Sequence, residues 1–412
     1  MRRRDFLKTS FATTAARMAD KTTFGFSLWQ YRHNYNFNKT ISREVLGNYL
    51  SRAICMEGLL NGRGDFDDNL RMLGNVGAKY IARSICLWGG EAKLLDNFAR
   101  ARQQVPQALA ADKDRVLEAC IFEIVTPQVE QIFVPDWAFI ALGVPVEKRN
   151  FRYEAILYPP EKRTRSWGRT GGVPDVSQLE TQLWFYFLAA SYIDLGFEGI
   201  HWGQVEIMDH SDPHLDHYAR VIGLARDYAK QHARRGMVLC NAHVPSGGLV
   251  RDDQLLLDFH AFPLRIKEVS GNPQEAVLEV GYLDSIFLRS KGGRTYSDWE
   301  CAHLPYLAEL DNYGSSPHPG VAGQGGGDWV WGYDEISWFA NQSKGYRSRW
   351  LRYAWDWVKK TDPDGYLEMP GGRTETSPLN RRRWYSANRQ STAVPDGLDD
   401  EDTIRAIWKG DR

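Results

Sequence analysis

Short apolar runs alternate with longer stretches of helical periodicity along most of this chain. Between the apolar runs, apolar residues recur at helical spacing over 67–77, 91–110, 178–196, 214–233 and 336–360. The runs themselves are rich in β-branched and aromatic residues and predict eight strands, over 24–31, 79–89, 115–125, 198–207, 236–244, 255–264, 305–314 and 364–372. Strands that alternate with helices predict a parallel sheet, and eight such units favour a closed (β/α)₈ barrel over an open doubly wound sheet.

The same pattern predicts a single barrel domain between two other segments. We assign 21–374 to the barrel, with long βα loops and an oversized connection at 126–177. Residues 375–412 are expected to form a polar tail that packs on the barrel, and they include one short helical pattern. Residues 1–20 precede the first apolar run and are left out of the fold prediction.

The segment 1–20 resembles a twin-arginine export signal. Its letters RRRDFLK place consecutive arginines ahead of a Phe-Leu-Lys cluster, as such signals do. We therefore expect a periplasmic or secreted protein. The apolar stretch that follows, FATTAA, is short for an export signal, so a cytoplasmic location is the alternative.

The composition narrows the classes of partner. A formal net charge of −1 gives no electrostatic argument for nucleic acid or an anionic membrane surface, and we expect neither. No apolar stretch approaches the roughly 20 residues of a membrane-spanning helix. Aromatic residues make up 13% of the chain, with 15 Trp, and exposed rings suit the apolar faces of sugars, although a large aromatic core is the alternative. The chain contains neither a Walker P-loop nor a GxSxG motif.

Polar and ionisable residues concentrate where the predicted strands end. In a (β/α)₈ barrel the reactive groups lie at the carboxyl ends of the strands. Carboxylates that converge there repel one another unless they are protonated, cation-bound or well separated, so their presence indicates function. The candidates are Trp29, Gln30, Trp88, Glu123, Gln204, Glu206, Asp209, Asn241, His243, Asp258, His260, Glu309, Asp311 and Glu368. By strand alternation, Gln204 shares a face with Glu206, Asn241 with His243, and Glu309 with Asp311.

Two chemistries use such a set of residues. Glycoside hydrolysis needs one carboxylic acid and one carboxylate, and no cofactor. Metal-dependent sugar isomerisation or epimerisation needs several Glu, Asp and His ligands, and Glu206, Asp209, His210 and His243 could surround Mn²⁺ or Mg²⁺. The acidic stretch after Met208 is also typical of a capped helix N-terminus.

The barrel pattern and two of its carboxylates carry a resemblance. Over about 22–374 the chain resembles the (β/α)₈ glycoside hydrolases, in particular the clan whose acid/base Glu ends strand four and whose nucleophilic Glu ends strand seven. In this sequence, HWGQVE places Glu206 at the first position and LAELDNYG places Glu309 at the second. The resemblance implies a retaining glycosidase in which Glu206 is the acid/base, its pKa raised by neighbours such as Trp202, and Glu309 the nucleophile. The clan has Asn before the first Glu, where this chain has Val205, so Gln204 or Asn241 would have to replace it.

The remaining candidates are assigned to substrate binding. Around the strand ends these are Trp29, Gln30, Trp88, Glu123, Trp202, Gln204, Asn241, His243, Asp311 and Glu368. The long glycine-rich loop after the seventh strand adds Trp329 and Trp331, and we expect it to cover the substrate. Each Trp could instead belong to the core. A barrel that binds glycan without catalysis is a further alternative.

Overall fold

The computed structural model describes residues 33–163, 166–168, 170–210, 212–323, 328–377 and 383–410. Their core is a closed barrel of eight parallel strands. The first seven strands are Ala53–Met56, Tyr80–Ile85, Val116–Cys120, Gly199–Gln204, Leu239–His243, His260–Pro263 and Tyr306–Glu309. The eighth is interrupted at one residue and consists of Gly365–Leu367 and Met369–Thr374.

The eighth strand closes the barrel. Its segment Gly365–Leu367 pairs in parallel with the seventh strand, and its segment Met369–Thr374 pairs in parallel with the first. Every other pair of neighbouring strands is also parallel and consecutive along the chain. The predicted fold class, a (β/α)₈ barrel, is therefore confirmed.

The first barrel strand differs from the prediction. The run 24–31 lies outside the described residues, and the position between the second and eighth strands is occupied by Ala53–Met56. All four residues of this strand are buried. The sequence analysis missed it because a run of four apolar residues cannot be distinguished from a buried helical segment by periodicity.

Helices follow the strands and cover the outside of the barrel. Phe66–Val76 is typical: the Asp65 side chain accepts a hydrogen bond from the backbone N–H of Asp68, and Gly77 ends the helix in the left-handed conformation, at φ +79°. The described α-helices are Arg43–Leu50, Phe66–Val76, Leu94–Ala111, Asp136–Ala141, Tyr153–Ile156, Leu179–Asp194, Asp216–His232, Glu335–Ala340, Lys344–Thr361 and Glu401–Gly410. None of them is both long enough and apolar enough to cross a membrane.

Two long connections and the C-terminal segment lie around this barrel. The connection after the third strand includes a short hairpin, Ser166–Trp167 with Gly171–Gly172. The connection between the sixth and seventh strands contributes to two small sheets outside the barrel. In the C-terminal segment, Trp384–Ser386 pairs antiparallel with the eighth strand, and the helix Glu401–Gly410 packs on Phe66–Val76. The domain boundaries 1–20, 21–374 and 375–412 stay a prediction.

Candidate active site

A cavity of about 960 Å³ opens where the barrel strands end. It is lined by residues of the loops after the first, second, third, seventh and eighth strands and by residues within several strands, including the fourth and fifth, so it lies at the carboxyl-terminal mouth of the barrel. Its volume is in the range of small-ligand pockets. Three carboxylates line it, from Glu57, Glu123 and Asp311. The predicted location of the site, at the carboxyl ends of the strands, matches this cavity.

Glu309 is 2% exposed and does not itself line the cavity, but it contacts three residues that do, namely Arg83, His243 and Arg373. Arg83 binds both carboxylate oxygens, with Nε 3.1 Å from Oε2, and Arg373 Nη1 lies 2.5 Å from Oε2. His243 Nε2 is 2.7 Å from Oε1. Burial opposes ionisation of this carboxyl, but Arg373 and Arg83 outweigh it and hold the pKa of Glu309 well below its ordinary value. Glu309 is therefore an anion between two guanidinium groups.

Arg83 reaches the barrel interior because the second strand is irregular. Its φ of +53° is in the left-handed region, and the register with the third strand shifts between Ile81 and Ile85. Such a bulge re-aims a side chain, and bulges of this kind are frequent next to active sites. Sequence reasoning missed Arg83, and the signal it left was a lone Arg in a strand whose six residues are all buried.

Arg373 joins the two acidic residues that end the seventh strand. It comes from the second segment of the eighth strand, is 1% exposed, and binds both Glu309 and Asp311. Asp311 also accepts a hydrogen bond from the backbone N–H of Asn312, at 2.8 Å. Glu309 and Asp311 thus meet on one guanidinium, as their predicted shared face requires. Sequence reasoning missed Arg373 because the eighth strand was expected to end at 372.

Glu368 occupies the interruption in the eighth strand. It is 3% exposed, and its Oε1 has no hydrogen-bond partner among the described residues. Burial and the neighbouring carboxylates of Glu309 and Glu118 raise the pKa of Glu368 well above its ordinary value. This shift favours the protonated form of Glu368, which lies inside the barrel and is not part of the cavity lining.

Glu123 follows the third strand and lines the cavity together with Gln204. Gln204 donates two hydrogen bonds to this carboxylate, from its backbone N to Oε2 at 3.0 Å and from Nε2 to Oε1 at 2.7 Å. Gly203 makes the approach possible, because a Cβ at that position would lie 2.4 Å from Glu123 Oε2. The fold thus fixes the Glu123 carboxylate on the wall of the cavity.

Glu206 has a different position from the one expected. It lies in the short 3₁₀ helix Val205–Ile207 after the fourth strand and is not part of the cavity lining. Its Oε1 accepts a hydrogen bond from the backbone N–H of Ser246, at 3.0 Å. Its role as the acid/base stays a prediction, and this position does not favour it.

Asn241 and His243 end the fifth strand and both point into the barrel. His243 lines the cavity and contacts Glu309. Asn241 lies deeper, 1% exposed, and bonds the ring of His201 at 2.7 Å. Asn241 therefore supports another side chain of the cavity, where direct substrate binding was expected. His201 was not a candidate in the sequence analysis.

Aromatic rings form one wall of the cavity. Trp88 is 52% exposed, and its ring centroid lies 5.2 Å from that of Trp167 and 5.5 Å from that of Phe122. Trp167 comes from the hairpin in the oversized connection, and its Nε1 donates to the backbone oxygen of Glu123 at 2.8 Å. Trp88 was a sequence candidate, whereas Trp167 lay in a connection whose path could not be predicted.

The other tryptophan candidates do not line the cavity among the described residues. Trp202 is fully buried, and its ring packs against Phe185 on the helix outside the barrel, so the expected sugar platform there is wrong. Trp331 is 6% exposed and donates to the backbone oxygen of Glu275, so it is also part of the core. Trp329 is half-buried and lies 5.4 Å from the ring of Tyr313, which lines the cavity. Trp29 and Gln30 lie outside the described residues.

The four residues of the alternative metal site do not form one group in the described part of the chain. Asp209 instead lies beside Asp212 and His217. The Oδ2 atom of each aspartate is 3.2 Å from His217 Nδ1. His210 packs on the ring of Tyr158, while Glu206 and His243 have the partners described above. His243, Glu309 and Asp311 also lie close enough to hold an ion, but Arg83 and Arg373 already neutralise their carboxylates.

The chain matches no protein-family model and no curated protein. It is similar to a GH113 beta-mannanase from Alicyclobacillus acidocaldarius, at 12% identity over 87% of this chain and 97% of that one, with a TM-score of 0.38. It is similar to a gamma-CGTase from an alkalophilic Bacillus clarkii, at 10% identity over 83% of this chain and 49% of that one, with a TM-score of 0.40. A GH36 alpha-galactosidase from Geobacillus stearothermophilus has 14% identity over 49% of this chain and 29% of its own, with a TM-score of 0.26. The barrel assignment rests on the strand pairing and not on these distant likenesses.

Proposed function

We propose that this chain hydrolyses glycosidic bonds with a pair of carboxyl groups at the mouth of the barrel. One observation carries the proposal: anionic Glu309, in contact with residues that line the cavity, and Glu123 on the cavity wall come from the seventh and third strands. These strands are four positions apart in an eight-stranded closed barrel, so the two side chains start from opposite sides of the barrel. A carboxyl on each side of a bound sugar is the arrangement that glycoside hydrolysis needs.

Glu309 is proposed as the group that meets the positive charge at the anomeric carbon. Arg83 and Arg373 keep it ionised, which a nucleophile or charge-stabilising carboxylate requires. Asp311 is bound to the same Arg373 and is exposed to the cavity, so it is the alternative for this role. Attack by either carboxylate, with transfer of a proton to the leaving oxygen, would give a glycosyl-enzyme, and hydrolysis of this intermediate by water would give net retention of configuration.

Glu123 is proposed as the acid that protonates the leaving oxygen. It lines the cavity, whereas Glu206, the residue that the resemblance implies, does not. Gln204 holds Glu123 through two hydrogen bonds and therefore fixes its direction. The exposed ring of Trp88 beside it is proposed as the platform for a neighbouring sugar unit.

The roles are tested by replacing each carboxyl with its amide and measuring hydrolysis. The substrates are starch, galactomannan, xylan, carboxymethyl cellulose and the 4-nitrophenyl glycosides of glucose, galactose and mannose. We expect Glu309→Gln and Glu123→Gln each to lose at least about 100-fold in kcat, and the matched control Glu206→Gln to keep most of the activity. If Glu206→Gln lost hydrolytic activity while Glu123→Gln retained it, Glu206 and not Glu123 would be the acid. Retention in all variants, Asp311→Asn included, would contradict carboxylate catalysis at this site.

A second candidate function is glycan binding without hydrolysis. It is favoured by the contacts of Glu309, whose carboxylate oxygens are already bound by protein groups. Arg83, Arg373 and His243 surround both of its oxygens, and only 2% of the residue is exposed. Binding of oligosaccharides by the wild-type chain, with no release of reducing ends from any substrate, would support this function. The metal-dependent isomerase has less support, because its four candidate ligands do not converge.

We also propose export through a twin-arginine pathway, supported by the residues RRRDFLK at the N-terminus. These residues lie outside the described part of the chain. The test is fractionation of bacteria that express the full chain and a variant with Arg3 and Arg4 replaced by Lys. We expect the wild-type chain in the periplasm or medium and the variant in the cytoplasm, and equal distributions would contradict the proposal.

A further inference from the structure

One ring nitrogen of a histidine that lines the cavity has no partner among the described residues. His201 lines the cavity and is 2% exposed. Its Nδ1 contacts Asn241, but its Nε2 is buried without a hydrogen bond from any described group. A buried polar atom left without a partner costs free energy, so such an atom in a cavity indicates a ligand contact.

The surrounding hydrogen bonds determine which ring nitrogen carries the proton. The backbone N–H of Arg83 donates to Glu118 Oε1 at 3.0 Å, and Tyr80 donates its hydroxyl hydrogen to Glu118 Oε2 at 2.6 Å. Asn241 Nδ2 donates to the same Oε2, also at 2.6 Å. The amide oxygen of Asn241 therefore faces His201 Nδ1, 2.7 Å away, and can only accept. The hydrogen of the neutral ring is thus on Nδ1, and Nε2 presents a lone pair.

The ring also stays neutral. Burial, followed by the charge of Arg83 and by His243, holds the pKa of His201 well below its ordinary value, while Asn241 and Glu309 act in the opposite direction with less effect. A neutral ring with a free lone pair attracts a hydrogen-bond donor. It does not attract a carboxylate, sulfate or phosphate oxygen.

We propose that His201 Nε2 accepts a hydrogen bond from a hydroxyl group of the bound sugar and thereby positions that sugar in the cavity. The identity of the ligand as a sugar rests on the proposed function. His201 is a specificity-determining residue in this account: a ligand that lacks the hydroxyl, or that carries an anionic group in its place, leaves the lone pair unpaired and binds roughly 10- to 100-fold more weakly.

The chain provides a matched control in His260. This residue is fully buried, neither of its ring nitrogens has a partner among the described residues, and burial lowers its pKa to about 3. It belongs to the sixth strand but does not line the cavity. Because His260 meets no ligand, its mutation should change the stability of the fold, and the addition of sugar should leave its ring ¹⁵N resonances unchanged.

The first readout is the ¹⁵N spectrum of the full chain labelled at histidine, with His201→Asn and His260→Asn used for assignment. We expect His201 in the Nδ1–H form from pH 5.5 to 8, with an unprotonated Nε2. On saturation with cellotriose, maltotriose or mannotriose, whichever binds by calorimetry, we expect the Nε2 resonance of His201 to move and those of His260 to stay. Protonated Nε2 in the free chain, or an unmoved Nε2 with a trisaccharide bound, would overturn the inference.

The second readout separates positioning from a structural role. His201→Gln places an amide oxygen near the lost Nε2, whereas His201→Phe keeps the ring shape and offers no acceptor. We expect His201→Phe to raise the trisaccharide Kd or KM roughly 10- to 100-fold and His201→Gln to recover at least half of that loss on a logarithmic scale. His260→Phe should lower the Tm without changing the Kd. Equal losses in the Gln and Phe variants of His201, with equal Tm values, would contradict an acceptor role.

The two proposals fail in different ways. If a trisaccharide binds and is cleaved while Nε2 does not move, the inference is wrong and the proposed function stands. If a trisaccharide binds and moves Nε2 without cleavage, the inference stands and hydrolysis fails. If none of the three binds the wild-type chain, both the carbohydrate assignment and the sugar contact of His201 are overturned, whatever the tautomer.

Discussion

At the scale of single residues, the charges of the carboxylates at the centre of this site are offset by buried guanidinium groups. Two guanidinium groups and two carboxylates form a chain of contacts, in which Arg83 and Arg373 bind Glu309 and Arg373 also binds Asp311. Strand-end position predicted the carboxylates, because a barrel exposes its strand ends to ligand. It could not predict the arginines, since one lies in a bulge and the other beyond the expected end of a strand.

Glu309→Gln should destabilise the chain as well as affect catalysis. Removal of the carboxylate leaves two buried guanidinium groups without their main counter-charge, which costs about 3–5 kcal/mol in the free energy of unfolding. Asp311→Asn, which removes a more exposed charge bound to one of the same arginines, is the control and should cost less. The measurement is chemical denaturation of both variants at pH 7. A loss in Glu309→Gln no larger than in Asp311→Asn would contradict the central place of Glu309 in this cluster.

Glu368 should make stability depend on pH in the opposite direction from Glu309. Its pKa is raised in the fold, so above its ordinary value of 4.5 the unfolded chain releases the proton while the folded chain retains it. Stability is therefore lost as the pH rises, whereas the stability from Glu309, whose pKa is lowered, is lost as the pH falls. Glu368→Gln should be more stable than wild type at pH 8, with a smaller gain at pH 4.5. A Tm difference that does not change with pH would contradict a raised pKa of Glu368.

At the scale of elements, irregular strand ends decide which side chains reach the cavity. Regular alternation would place Trp202 on the same face as Gln204. The register with the fifth strand shifts between His201 and Gln204, so both of these line the cavity while Trp202 packs outside the barrel. A single-residue shift reverses the facing of every later side chain, and the hydrophobic pattern alone does not reveal it.

Gly203→Ala should disturb the site more than the fold. The position has φ +64°, and the added Cβ would meet Glu123 Oε2 at 2.4 Å, so the carboxylate must move. The control is Gly77→Ala, where φ is +79° and nothing lies within 4 Å of the new Cβ. Both variants should lose about 1 kcal/mol or more in the free energy of unfolding, and only Gly203→Ala should lose kcat, by at least about 10-fold. Equal kcat values in the two variants would show that the Glu123 position is unimportant.

Trp88→Ala should weaken substrate binding through the loss of an exposed ring. We expect KM for an oligosaccharide to rise roughly 10-fold with a smaller change in kcat, because stacking on the ring is present in the bound substrate as well as in the transition state. Trp202→Phe is the control, since that ring faces the outer helix, and it should change Tm more than KM. An unchanged KM in Trp88→Ala would contradict the proposal that Trp88 stacks on a sugar unit.

At the scale of the whole molecule, the alternation of apolar runs with helical periodicity predicted the closed barrel, although one of the eight runs, 24–31, lies outside the described residues. Seven of the eight predicted strands overlap the observed ones. The exception is the first strand, Ala53–Met56, which is too short for its period to be read and follows a helix after only two residues. The path of the loops, which brings Trp167 to the cavity, depends on tertiary packing that no local pattern encodes.

The most direct test of the central claim is the release of reducing ends from the polysaccharide panel by wild type, Glu309→Gln and Glu123→Gln at equal concentrations of folded protein. We predict cleavage of at least one substrate by the wild-type chain, and a loss of at least about 100-fold in the rate of cleavage in each variant. Cleavage at similar rates by all three proteins would contradict the assignment of the carboxyl pair. The absence of cleavage by wild type, with sugar still bound, would leave a barrel that recognises glycan and does not hydrolyse it.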